Sequence, residues 1–311
     1  MQKRILVVGS ANMDVLIEIP RMASAGETIL GHRYSYAEGG KGANAAVAAA
    51  RQGAAVTMAA KIGRDDNGAR IFENFQKEGI CTDAVVRTDQ AQTGFAVCTV
   101  EDTGENRIIA FAGANMQLDF VRDVPDAIKQ ASFDAVMSQF EVPFATVVAM
   151  TKWASGRGIP VIIDAGPAMQ APVEQLVGVT IFSPNETETT ALTGMPVGTL
   201  AEAEAAAKAL YARVAPQFVV IKMGGRGCLI YDGSAAAHVP PFQVTPVDPT
   251  AAGDAFTGAL TLEYLRCGDI VQAARYANVV GALTTTRLGA MPSLPRQDEV
   301  QAFIEKNNIT L

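Results

Sequence analysis

Late in the chain, Asp248-Pro249-Thr250-Ala251-Ala252-Gly253-Asp254-Ala255-Phe256 joins a proline-stiffened approach to two small residues, a glycine and an acid. The apolar stretch Ala255 to Leu265 that follows reads as a helix. At a helix start the backbone N–H groups lack partners within the helix, and the dipole favours an anion. The small side chains let something bulky and negative approach those groups. Asp254 repels such an anion, a conflict that makes sense if its carboxylate takes a proton from a nucleophile attacking a phosphoryl group held by the amides. A capped helix start without chemistry is the simpler account of Gly-Asp alone. Other polar clusters must decide between the two.

Asn12 and Asp14 follow the first predicted strand, Ile5 to Gly9, and their spacing turns both side chains the same way on an extended segment. Turn chemistry explains the same residues equally well. Glu38-Gly39-Gly40-Lys41-Gly42-Ala43-Asn44 precedes a small-residue helix, Ala45 to Arg51. It is not a P-loop, because Gly42 follows Lys41 where Ser or Thr is needed. It fits a dinucleotide fingerprint only loosely, with no buried strand running into it and Lys61 where an acid belongs. What remains is a glycine turn able to touch a small ligand, with Lys41 and Asn44 as donors and Asn12 and Asp14 as acceptors. That set suits a polyhydroxylated molecule, whereas plain close packing of helices also uses glycine and alanine. Ser138 to Glu141, Ser183 to Glu188 and Met223 to Gly227 add polar residues after further predicted strands. Asn185 and Glu188, three apart at a helix start, share a face, although an acid in the first turn is also ordinary capping. The glycines at 224, 225 and 227 form either a ligand loop or a hairpin.

The elements that must hold these clusters alternate. Strands are predicted at Val56–Ala60, Asp134–Met137, Val161–Asp164, Thr180–Phe182 and Phe218–Lys222. Helices are predicted at Ala69–Glu78, Phe144–Ser155, Ala201–Val214, Gly253–Arg266 and Ile270–Thr284. Continuous Val/Ile-rich strands among amphipathic helices predict a mostly parallel sheet covered on both faces. Its ligand-binding edge would carry all the polar clusters. Hairpin signals at about 15–38 and 93–112 predict a small second sheet acting as a lid on one domain spanning 1–311.

With 311 residues, 49% hydrophobic and 18% charged, the chain suits a globular protein with a large core. A net charge of −7 and no basic run argue against nucleic acid as a partner. Four scattered cysteines lack metal-ligand spacing, and no apolar span is long enough for a bilayer, so no membrane partner and a cytoplasmic location are expected. Only His32 and His238 occur, and neither pairs with a Ser or Cys motif; any general base is expected to be a carboxylate.

Over nearly its full length the chain resembles the ribokinase-like (phosphofructokinase-B type) carbohydrate kinases. The resemblance rests on Asn12-Met13-Asp14, Gly26-Glu27-Thr28, Gly39 to Asn44, Ser183 to Glu188 and Ala251-Ala252-Gly253-Asp254. It implies a three-layer α/β sandwich with a β-sheet lid, and ATP-dependent phosphorylation of D-ribose at O5. Asp254 then matches the base, and Ala251, Ala252 and Gly253 the anion hole. Asn12, Asp14, Gly40, Lys41, Asn44 and Glu141, with Asp254, match the sugar-binding positions. Asn185, Glu188, Lys222, Gly224, Gly225, Gly227, Gly253 and Asn278 match the nucleotide site, with Glu188 organising Mg²⁺. Asp248, Thr250, Thr284, Arg287, Gly289 and Ser293 match the loops around an activating K⁺. Homodimerisation through an apolar lid face is also implied.

The chain departs from the family pattern in three places. Asp164-Ala165-Gly166-Pro167-Ala168 stands where Asn-Pro-Ala-Pro-Ala is common, Pro249 replaces a usual threonine, and Lys222 adds a charge beside the nucleotide loop. The first leaves open a same-fold kinase for another small sugar: 2-deoxyribose, fructose or a 2-keto-3-deoxy sugar acid. A silent binding protein is disfavoured by the intact Asp254, and a dehydrogenase by the poor setting of Gly40.

Overall fold

Strand β1 (Arg4–Val8) sends Ile5 and Val7 to one side and Leu6 and Val8 to the other, and all four are fully buried. Alternate residues of a strand face opposite ways, so an unbroken apolar run needs cover on both faces. The computed structural model, which describes residues 2–311, supplies it. In chain order the other strands are β2 (Asn12–Ile19), β3 (Arg33–Gly39), β4 (Ala55–Gly63), β5 (Cys81–Thr88), β6 (Gly94–Glu101), β7 (Asn106–Phe111) and β8 (Ala135–Ser138). They continue with β9 (Val161–Asp164), β10 (Val179–Ser183), β11 (Phe218–Lys222), β12 (Cys228–Tyr231) and β13 (Ala236–Val239). Nine form one sheet in the order β13-β12-β11-β10-β9-β8-β1-β4-β5, parallel except where β12 meets its two neighbours.

The helices are α1 (Lys41–Arg51), α2 (Asp66–Lys77), α3 (Phe120–Asp123), α4 (Asp126–Gln130), α5 (Phe144–Ser155), α6 (Glu186–Thr193), α7 (Leu200–Val214), α8 (Ala252–Cys267), α9 (Ile270–Thr284) and α10 (Gln297–Lys306). Ile5 and Val7 join a core with α1, α8 and α9, while Leu6 and Val8 join a second core with α5 and α7. This is the expected sandwich. Among the described residues, no helix is long and apolar enough to cross a membrane.

A separate four-stranded sheet, β3-β2-β6-β7, rises from the edge where the ligand clusters lie. Its β2 begins at Asn12, so of the two readings open for Asn12 and Asp14 the extended segment holds and the turn does not. Opposed residues share a face. Asp14 pairs with Ala37 and Ala96, whereas Val15 pairs with Tyr36 and Val97 on the other side. Two helix starts also lie earlier than expected. Asp65 accepts from the Gly68 N–H and starts α2 at Asp66, and α1 already begins at Lys41, with Gly40 in a left-handed conformation (φ 91°) before it.

Candidate active site

The close packing expected of the alanine-rich helix is present, and it serves the site. Ala45, Ala48 and Ala49 of α1 are buried against α8. A Cβ on Gly258 would lie 2.7 Å from the Ala45 carbonyl oxygen, so only glycine permits this approach. The result brings the first turns of two helices together: Asn44 Nδ2 donates to Asp254 Oδ2 at 2.8 Å. Asn44 is 5% exposed, and its Oδ1 has no partner among the described residues.

Ala251 adopts φ 61° before α8, an uncommon conformation for a non-glycine residue. The Ala252 N–H donates to the Pro249 carbonyl at 3.2 Å. Among the described residues the N–H groups of Gly253 and Asp254 make no such bond, which leaves them, more than that of Ala252, free to meet an anion. Lys41 Nζ lies 3.7 Å from Asp254 Oδ1 and 3.4 Å from Glu188 Oε1, bridging the two acids. A Cβ on Gly166 would come within 2.6 Å of Lys41 Nζ, so the missing side chain at that departure makes room for the ammonium.

Glu141 Oε2 accepts from Ser10 Oγ at 2.5 Å and from the Lys41 N–H at 3.0 Å, which ties the loop after β8 to the start of α1. Asn12 Oδ1 accepts from Asn115 Nδ2 at 2.7 Å, and Asn115 Oδ1 accepts from the Ala11 N–H at 2.9 Å. Ser10 and Asn115 are positioning residues that sequence reasoning missed; Asn115 lies in a short 3-10 turn, Gly113–Gln117, that no periodicity announces. Cβ atoms on Gly39 and Gly94 would meet Asp14 Oδ2 and Asn12 Oδ1 at 2.1 Å each, so both glycines clear room for the acceptors above them.

Asn185 and Glu188 form a full capping box on α6: Asn185 Oδ1 accepts from the Glu188 N–H at 2.8 Å and Glu188 Oε2 from the Asn185 N–H at 2.7 Å. The capping explanation is therefore real, and it leaves Glu188 Oε1 facing Lys41. Glycines 224, 225 and 227 do connect antiparallel β11 and β12, and the same loop lines a cavity of about 600 Å³. Asn185, Lys222, Gly253 and Asn278 line it too. Asn278 Nδ2 donates to the carbonyls of Val239 and Pro240, so it shapes the cavity wall.

Asp164 and Lys222, two separate oddities in the sequence, meet: Lys222 Nζ donates to Asp164 Oδ2 at 2.6 Å. Asp164 is thus engaged by Lys222 and by Thr257, whose Oγ1 lies 2.7 Å away. Asp248 Oδ1 accepts from the Thr250 N–H and Oγ1, and its Oδ2 from the Gly289 N–H at 2.8 Å, which joins the two expected cation loops. The hydroxyls of Thr284 and Ser293 donate to the carbonyls of Val280 and Ala290, and Arg287 turns outward to Glu299. Donation leaves both hydroxyl oxygens their lone pairs, so hydroxyls and carbonyls of residues 284–293 alike offer the hard oxygen donors such an ion takes. Among the described residues no group of three or more His, Cys, Asp or Glu could hold a metal.

Burial raises the Asp254 carboxyl to about 6; the Lys41 charge opposes that rise, and Asp164 and Glu141 add to it. Burial, then Glu141 and Asp254, push Asp14 up to about 7. Lys41 is held above its usual range: burial works against its charge, but Asp254, Asp164, Glu188 and Glu141 together outweigh it. Burial also raises Asp164, yet Lys222 and Lys41 bring it below the usual carboxylate range. A base works only when ionised, so with Asp254 as the expected base activity should fall as pH drops through 7 to 6 and reach a plateau above it. A kcat/KM profile for the sugar checks this; a flat profile from pH 5 to 8 contradicts it.

A carboxylate beside free amides, at the ligand edge of a doubly covered, mostly parallel sheet with a small-sheet lid, suits phosphoryl transfer to a small hydroxylated molecule. The pfkB family carbohydrate kinase model matches residues 2–297. The chain is 34% identical over 305 residues to a ribokinase of Haemophilus influenzae, covering 98% of this chain and 99% of that one. It is 36% identical over 312 residues to a bifunctional ribokinase/ribose-5-phosphate isomerase A of Fructilactobacillus sanfranciscensis, covering 99% of this chain but 57% of that longer protein. A solved Arabidopsis thaliana ribokinase complexed with ribose and ATP superposes with TM-score 0.89 at 31% identity, covering 98% and 99% of the two chains. The chain belongs to the pfkB family of carbohydrate kinases, enzymes that use ATP.

Proposed function

We propose that this site transfers the γ-phosphoryl group of ATP to O5 of D-ribose. The observation that carries the reading is the Asn44–Asp254 contact, which fixes a buried carboxylate on the same helical turn as the free N–H groups of Gly253 and Asp254. Asn12, Asp14, Gly40, Lys41, Asn44 and Glu141 hold the sugar so that its primary hydroxyl meets Asp254. The hydroxyl proton passes to Asp254 as its oxygen attacks phosphorus in line with the leaving ADP oxygen. Charge building on the transferred group is met by the two N–H groups, an arrangement in which one donor is typically worth ~3 kcal/mol.

The cavity bounded by Asn185, Gly224, Gly225, Gly227 and Asn278 takes the nucleotide. Glu188, held by its cap, fits Mg²⁺, which would neutralise phosphate charge while keeping several waters. The four-stranded sheet acts as the lid and excludes water. ADP release against ribose, 2-deoxyribose, fructose and a 2-keto-3-deoxy sugar acid tests the assignment. Turnover on one of the others without turnover on ribose would sink it.

Asp248, Thr250 and the oxygens of 284–293 fit a monovalent cation beside the anion-holding turn. Exchanging K⁺ for Li⁺ should lower kcat severalfold, and indifference to the ion counts against the site. The lid's outward face carries Tyr34, Tyr36, Ile109 and Phe111, all about half exposed or more, a patch suited to a second copy of this chain. Light scattering should report a dimer; a monomer at working concentrations refutes that pairing.

A further inference from the structure

Asp164, Lys222 and Thr257 are 2%, 8% and 1% exposed. Asp164 Oδ2 joins Lys222 Nζ at 2.6 Å and Thr257 Oγ1 at 2.7 Å, and Thr257 Oγ1 also lies 3.0 Å from the Gly253 carbonyl. The triad is therefore fastened to the turn whose amides are free. A Cβ on Gly253 would sit 3.7 Å from Lys222 Nζ, and Lys222 lines the same cavity as Gly253. An anion seated on the Gly253 N–H comes within reach of that ammonium. A lysine has three donors, and Asp164 and Thr257 engage two.

Apolar residues often replace a buried ion pair without loss of stability, so stability alone gives little reason for this one. Asp164 by itself would place a negative charge beneath an anion site. With Lys222 the pair is neutral, and the ammonium stands on the cavity side. Resting on the kinase reading above, we propose that Lys222 is a third donor to the transferring phosphoryl group, and that Asp164 is the positioning residue holding it there.

The test is the neutral double variant Asp164→Asn/Lys222→Met, which avoids leaving a lone buried charge. Its affinity for ADP with tetrafluoroaluminate, a mimic of the group in transfer, should fall about 10²-fold, and kcat likewise. Affinity for ADP alone and KM for the sugar should change less than about threefold, because neither depends on a donor felt in the transition state. A purely structural pair would move the melting temperature and leave the analogue affinity unchanged, and that result overturns the proposal. Should the double variant not fold, Asp164→Asn decides alone: a loss of analogue affinity of about tenfold supports the proposal, and unaltered affinity overturns it. An unaltered chain that binds the analogue yet phosphorylates no sugar refutes the kinase reading instead, and Lys222 is then judged on the analogue alone.

Discussion

Asp254→Asn should lower kcat by about 10³-fold, inside the 10²–10⁴ range for losing a positioned general base. The amide keeps the shape and can still meet Asn44, so the 2.8 Å contact between α1 and α8 is preserved after an amide rotation. Sugar and ATP should bind within a few-fold of their original affinities. The variant also separates catalysis from stability. The Asp254 carboxyl rises to about 6 in the folded chain, against an ordinary value of 3.8. Between those values the folded state binds more protons than the unfolded one, so stability falls as pH rises through the window. The neutral amide escapes that loss, and Asp254→Asn should melt no lower than the unaltered chain at pH 8. Near-normal turnover in steady-state assays would exclude Asp254 as the base.

Asp14→Ala should act on the other kinetic constant. Asp14 lies on β2, on the face shared with Asn12, with Gly39 leaving room beside its carboxylate. Hydrogen bonds to a charged acceptor are worth about 1.5–3 kcal/mol each. Losing two such bonds to sugar hydroxyls should raise KM for the sugar at least about 10²-fold, with a smaller change in kcat and none in KM for ATP. A loss confined to kcat would place Asp14 outside the sugar site. Its rise to about 7 adds a sign: sugar affinity should weaken as pH falls below neutrality, because the protonated carboxyl accepts less well.

Much of this was legible in the sequence because the sheet is buried on both faces. Runs such as Ile5–Val8 and Phe218–Lys222 mark their strands without ambiguity, and the polar clusters after them follow from the rule that ligands gather beyond strand ends. What stayed hidden was set by tertiary contact. Asn115 belongs to a turn with no periodic signature, yet it holds Asn12. Asp164 and Lys222, 58 positions apart, read as separate anomalies until β9 and β11 placed them within 2.6 Å. A local rule also hid a distant contact: the Asn185–Glu188 box is a sound cap, and the same carboxylate faces Lys41. Helix starts were missed by a few residues where a cap or a left-handed glycine, not the apolar pattern, decided them.

In the proposed reaction Asp254 deprotonates the primary hydroxyl of ribose for attack on ATP. Phosphorus and proton NMR of the product from ribose, ATP and Mg²⁺ tests it most directly. One equivalent of ribose 5-phosphate is expected per ADP, with phosphorus coupled to the C5 protons, and none from the Asp254→Asn chain on the same timescale. Phosphate on another oxygen, or ADP formed without a sugar phosphate, would contradict it.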